Sequence, residues 1–309
     1  MTVPPGRIQV TVRRAGPTSS LLAGPAGLLE FTTTGSGLPG TIFAHGLGGS
    51  IQTTRPFGSG VRGSRTFLHF RGHGGSVAAQ TPWTYGALAN ELRTVADHVG
   101  ATQALGVSMG AGALSALLAN TPLRFERLVF VIPAVLDQPR TDDALAPLAE
   151  MAHCADSGDA AGLAALLLAG EAESVRTQPA VQLWCRRRAA LLVGTPVSHA
   201  LRALPAAVPL ADRAVLAAVT VPALVIAQEG DPAHPVWVAE QLAATLPDAR
   251  LEVMAPGGII WSHRDAMRDL IGRFLSPSES AGPRDGGLDR EEPVTEIPSG
   301  ADTLGLKVQ

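Results

Sequence analysis

Cysteine is nearly missing from this chain: Cys154 and Cys185 are the whole supply in 309 residues. Two thiols so scattered cannot build a disulfide framework or a zinc site, and the plain expectation is two buried or half-buried thiols in a reducing compartment. Long apolar runs are missing too, since no stretch reaches the roughly 18 apolar residues of a membrane span. The first ten residues, MTVPPGRIQV, lack the basic-then-apolar pattern of a secretory signal. These absences predict a cytoplasmic protein with no membrane partner. Nor is there an excess of either charge. With 24 basic and 27 acidic residues the formal net charge is -3, which gives no general attraction to nucleic acid or anionic lipid. None of the eight histidines stands in metal-ligand spacing with cysteine or carboxylate, so no metal and no cofactor are predicted.

What the chain does have is apolar bulk. A hydrophobic content of 46% against 17% charged residues indicates an ample globular core, and the length suffices for one large α/β domain carrying an insertion. Residues 8–12 alternate like an edge strand, residues 14–27 are turn-rich, and 28–33 read as a second strand. Further strands are predicted at 40–44, 65–70, 103–105, 127–132, 221–227 and 250–255. Residues 51–60 read as a loop. Between 84 and 99 the apolar positions 88, 92, 95 and 99 have helical spacing, with Thr84 as N-cap. Strands alternating with helices imply a mostly parallel sheet covered by helices on both faces. Between Pro133 and Val221 only helical stretches are found, at 143–151, 160–169 and 181–193. Beyond Leu275 the composition turns acidic and poor in large apolar side chains, with seven acidic and three basic residues in 276–309. That tail is predicted to be disordered.

The most informative stretch is Gly106-Val107-Ser108-Met109-Gly110. It sets one serine between two glycines where an apolar strand gives way to a helix-compatible run, the context of a nucleophile elbow. Such a serine sits in a strained backbone conformation, so its close neighbours must lack a Cβ. Other motifs stand in order around it. Strand 40–44 runs into His45-Gly46-Leu47-Gly48-Gly49, and Arg71-Gly72-His73-Gly74-Gly75-Ser76 follows the next strand. Strand 221–227 ends in Gln228-Glu229-Gly230-Asp231-Pro232.

On these motifs, from about residue 27 to residue 275, the chain resembles proteins of the α/β-hydrolase fold. The resemblance implies a core of residues 1–137 and 218–275, with 138–217 as an inserted helical cap that closes the pocket. It also implies Ser108 as nucleophile, Asp231 as the triad acid, and the N–H groups of Leu47 and Met109 as an oxyanion hole. Glu229 stays open as a rival acid, because strand alternation turns it the same way as Asp231.

The chain departs from that pattern at the base. The usual histidine slot just past the last strand holds Ile259 or Ile260, and the first histidine there is His263. His263 is the expected base if the loop with Gly257 and Gly258 folds back; His234, three residues after Asp231, is the alternative. His45, Gly46 and Arg55 are assigned to the substrate side of the site, although a histidine in an HG turn usually holds the loop by backbone hydrogen bonds, as His73 is expected to do. Arg55 and Arg71 could anchor a carboxylate or phosphate, or merely brace loops. Arg186, Arg187 and Arg188 are expected to face solvent. Two functions follow: a serine hydrolase of small esters, thioesters or related acyl substrates, or a non-hydrolytic relative that binds a small molecule or promotes a cyclisation or elimination.

Overall fold

Strands β3 (Gly40–Ala44), β5 (Gln103–Val107), β6 (Arg127–Val131) and β7 (Ala223–Gln228) are almost wholly buried. Near-continuous apolar runs of this kind belong at the centre of a parallel sheet covered on both faces. The computed structural model describes residues 19–77, 82–140 and 145–276. Within it these strands are joined by β1 (Ser20–Gly24), β2 (Gly27–Thr34), β4 (Ser64–Leu68) and β8 (Ala249–Met254). The eight form one sheet in the order β1-β2-β4-β3-β5-β6-β7-β8. Only the pairs that β2 makes with β1 and β4 are antiparallel.

Successive residues of each central strand feed opposite faces. Ile42, Ala104, Leu128, Phe130 and Val225 join one core; Phe43, Leu105, Val129, Val131, Leu224 and Ile226 join the other. The first core is completed by α2 (Tyr85–His98), α3 (Met109–Asn120) and α8 (Val236–Thr245), through residues such as Leu92, Leu114 and Leu242. The second is completed by α9 (Arg264–Leu275), whose Met267, Leu270 and Ile271 are buried, and by Ile51. Thr84 caps α2 as its position suggests, its hydroxyl accepting the Ala87 N–H at 3.1 Å.

Two local readings are corrected. The turn-rich stretch before residue 28 contains β1, an outermost strand whose largely exposed side chains leave no alternation to read. The loop at 51–60 is helical, with α1 (Ile51–Thr54) followed by a 3-10 turn at Arg55–Gly58. Ser50 and Thr53 start it by a reciprocal capping box. The strand expected at 8–12 and nearly all of the 276–309 tail lie outside the described residues. Among the described residues no helix is long and apolar enough to cross a membrane.

Between β6 and β7 the chain forms α4 (Leu145–Ser157), α5 (Ala160–Ala169), α6 (Pro179–Leu192) and α7 (Val197–Ala203). These helices share a separate apolar core that includes Leu163, Val181, Ala189 and Leu201. The free thiols of Cys154 and Cys185 are buried in it.

One buried ion pair braces the core behind the site. Arg71, only 2% exposed, donates from Nε to Glu91 Oε1 of α2, while its backbone N–H reaches Glu91 Oε2 at 3.1 Å. Burial pushes the Glu91 carboxyl up from its ordinary range, against the pull of Arg71. Arg71 therefore braces its turn rather than facing a ligand.

Candidate active site

Ser108 sits between β5 and α3 with φ 50° and ψ -110°, a conformation few non-glycine residues adopt without strain. The flanking glycines are needed for contact reasons. A Cβ at Gly106 would lie 2.4 Å from the Gly110 carbonyl oxygen, and one at Gly110 would lie 2.3 Å from that of Ala44. Packing this tight holds the serine at the carboxyl end of the sheet, ahead of the first turn of α3. The second non-glycine residue with positive φ among those described is Ile132, at φ 42° just beyond β6. It lines the same cavity as Ser108, so both strained residues stand at the site.

The turn after β7 carries both an acid and a base. His234 N–H donates to Asp231 O at 3.2 Å, which closes residues 231–234 into a turn. Asp231 Oδ1 accepts the Ala233 N–H at 2.9 Å, and Oδ2 accepts His234 Nδ1–H at 2.8 Å. The other ring nitrogen, Nε2, lies 2.9 Å from Ser108 Oγ. With Nδ1 protonated against the carboxylate, Nε2 is left as acceptor for the serine hydroxyl. Burial pushes the Asp231 carboxyl up, but the His234 charge and hydrogen bond and the backbone N–H groups of Ala233 and His234 outweigh it. The net result is below the ordinary range, so the group is ionised. Arg140, which also lines the cavity, steadies the turn by donating to the carbonyls of Ala233 and Pro232.

The structure does not bring His263 to Ser108. Gly257 at φ 152° and Gly258 at φ 80° turn the chain sharply after β8 into a π-helical turn, Gly258–Ser262. That turn delivers Gly258, Ile259 and Ile260 to the cavity wall. It sends His263 outward, where Nε2 lies 2.7 Å from the Ala255 carbonyl oxygen. His234, the second choice from sequence, occupies the place expected of His263. Glu229 is exposed, which leaves Asp231 as the acid facing the imidazole.

The loop after β3 approaches the serine closely; a Cβ at Gly46 would lie 3.3 Å from Ser108 Cβ. Its conformation is held by three histidines used alike. His45 Nε2 accepts the Phe70 N–H at 3.1 Å, His73 Nε2 the Gly48 N–H at 3.1 Å, and His69 Nε2 the Ile51 N–H at 3.0 Å. On the other side Nδ1–H donates to Gly46 O, Arg71 O and Glu30 Oε2, respectively. Gly46 O also accepts from Gly49 N–H at 2.8 Å. A trans peptide points its N–H opposite to its carbonyl, so pinning Gly46 O aims the Leu47 N–H the other way. Leu47 and Met109 both line the cavity, and Met109 opens α3, where helix N–H groups have no carbonyl one turn back. His45 is fully buried and holds the loop, so it is no substrate contact. Arg55 is exposed and absent from the cavity wall, whereas Gly46 belongs to it.

His45 and His73 accept at Nε2 and donate at Nδ1, the pattern of a neutral ring. Burial pushes His45 well below the ordinary histidine range and His73 down to about 4. Between pH 6.5 and 4 the unfolded chain binds protons that native His73 refuses, so stability falls as pH falls. We expect a loss of about 2 kcal/mol from His73 alone between pH 7 and pH 5. Urea midpoints across that range measure it, and a flat profile would contradict neutral rings.

The cavity around Ser108 measures about 480 Å³ and is walled largely by apolar side chains, among them Phe57, Ile132, Met151, Leu166 and Ile260. Helices α4 to α7 contribute to its wall. Glu171 Oε2 accepts Trp261 Nε1–H at 2.9 Å, and the Trp184 ring meets that of Trp261 edge-on at 5.6 Å. Burial holds the Glu171 carboxyl above its ordinary range despite that donor. Arg188 was expected in solvent; it lines the cavity instead and donates to the Leu47 and Gly48 carbonyls. Positions 181, 185, 189 and 192 form the buried stripe of α6. The phase of that stripe puts 188 at its border, a signal present in the sequence.

No protein-family model matches this chain, and no curated protein does. Solved structures do. A thermophilic esterase from Thermogutta terrifontis shares 21% identity over 83% of this chain and 97% of its own, with a TM-score of 0.69. The carboxylesterase CesB from Bacillus subtilis shares 18% over 84% and 92%, with a TM-score of 0.71. An enol-lactonase from Burkholderia xenovorans shares 22% over 83% and 99%, with a TM-score of 0.68. Strand order, the one reversed strand and these likenesses agree: the chain has the α/β-hydrolase fold.

Proposed function

We propose that this protein is a serine hydrolase acting on a small ester, thioester or related acyl compound. The observation that carries the reading is the continuous hydrogen-bonded chain from Ser108 Oγ through His234 to Asp231. Ser108 attacks the acyl carbon while its proton passes to His234 Nε2, and Asp231 stabilises the resulting imidazolium. Charge on the carbonyl oxygen is met by the N–H groups of Leu47 and Met109. The imidazolium protonates the leaving group, and water, deprotonated by the same ring, then releases the acid and restores Ser108. A cavity of about 480 Å³ that is apolar around Ser108 but also carries Arg140, Glu171, Arg176 and Arg188 suits a small acyl compound with an apolar part and a polar or charged one. The structures it resembles bear the names of esterases and a lactonase, which supports the same reaction type. The non-hydrolytic reading drew on Ile259 and Ile260 in the usual base slot; with an imidazole bonded to Ser108 from another loop, nothing now favours it.

A fluorophosphonate probe tests this reading. It is expected to label the chain once, at Ser108, with labelling lost in Ser108→Ala. A folded protein that never labels and hydrolyses no p-nitrophenyl ester or acyl thioester would refute it.

A further inference from the structure

The loop that carries the proposed oxyanion donor is gripped from two sides, and one grip comes from the inserted helices. On the core side, His45 and Gly49 pin the Gly46 carbonyl, and His73 Nε2 takes the Gly48 N–H. From α6, Arg188 reaches down with Nε–H to Gly48 O at 3.0 Å and Nη2–H to Leu47 O at 3.1 Å. Its guanidinium lies over the ring of Trp184, one helical turn earlier, at 5.1 Å. Among the described residues those two carbonyls are its only hydrogen-bond partners, and none of the ion pairs includes it.

We infer that Arg188 is a positioning residue for the hydrolysis proposed above, and the inference rests on that reading. Arg188 holds the carbonyl of the Leu47–Gly48 peptide while His73 holds its N–H, so that plane cannot rotate. The preceding plane is fixed through the Gly46 carbonyl. Two fixed planes determine both torsions of Leu47 and hence the direction of its N–H relative to Ser108. An arginine is suited to this because its planar fork presents two N–H groups to two successive carbonyls in a fixed geometry, which the freely rotating ammonium of lysine lacks. The guanidinium also lines the cavity, where the Glu171 carboxyl interacts with its charge. Helix α6 thereby sets the geometry of a loop that belongs to the core.

Arg188→Met, Arg188→Lys and Arg188→Ala, assayed on p-nitrophenyl butyrate, test the inference. For Arg188→Met we expect kcat to fall roughly 100-fold, the scale of losing one oxyanion donor, with KM held within about threefold. Arg188→Lys should recover only a small part. Guanidinium chloride at a sub-denaturing concentration should partly restore Arg188→Ala, whereas sodium chloride at equal ionic strength should not. A raised KM with kcat preserved would make Arg188 a substrate anchor and overturn the inference. So would an unchanged kcat, or a loss that follows the melting temperature and is not rescued by guanidinium. Wild-type protein that neither labels at Ser108 nor turns over would bring down the hydrolase reading together with this one. An active wild type beside a normal Arg188→Met would overturn the role of Arg188 alone.

Discussion

Replacing His234 with alanine is expected to lower kcat by about four orders of magnitude or more, as much as Ser108→Ala does. The proposed reaction has one base, and triad members act as a unit, so the double variant should be no worse than either single one. Asp231→Asn should cost on the order of 10⁴ by presenting the wrong imidazole tautomer to the serine. His263→Ala is the contrast. Its ring meets a backbone carbonyl at the protein surface, and its loss should leave turnover within about twofold, the scale of a residue outside the reacting unit. Steady-state rates on a p-nitrophenyl ester, with Ser108→Ala as the floor, separate the cases. A crippled His263→Ala beside an active His234→Ala would reverse the assignment.

The largest expected loss of stability comes from Glu91→Ala. The variant strips the carboxylate from a guanidinium only 2% exposed, and an orphaned buried charge costs about 3–5 kcal/mol. For a domain of this size that is about 10 °C of melting temperature. Glu91→Gln should cost less, since the amide still accepts from Arg71. The double variant Arg71→Met, Glu91→Leu should recover part of the loss, because both charges are gone and only neutral groups, such as the backbone N–H of residue 71, lose a partner. Calorimetry on the four proteins decides it. A double variant less stable than Glu91→Ala would show that the two residues do not act as a pair.

The sheet was readable because its inner strands are largely apolar runs, and α2 because its apolar positions keep a helical spacing. β1 was not readable, since a short outer strand with exposed side chains carries no pattern. α1 was hidden because its start depends on Ser50 and Thr53 bonding each other across one turn, which composition does not reveal. At the site, Ser108 and Asp231 stood out by their places at strand ends. The base did not, because chain order and the distance from the last strand pointed to His263. A single hydrogen-bonded turn brings His234 Nδ1 onto Asp231 Oδ2 and leaves Nε2 facing Ser108. Arg188 was hidden by its neighbours, since Arg186 and Arg187 are exposed and the trio reads as one charged patch.

With acid and imidazole on one four-residue turn, a movement of that turn's backbone carries both. A shift that pulls the imidazole from the serine pulls its carboxylate along, so the pair keeps its internal alignment and the site is assembled or disassembled as a whole. In the proposed reaction the segment after β8 then has no duty to the proton. Substitutions at Ile259 and Ile260 can reshape the cavity without touching the groups that move charge, which makes that turn the place where a lineage of such proteins could change its substrate while keeping its chemistry.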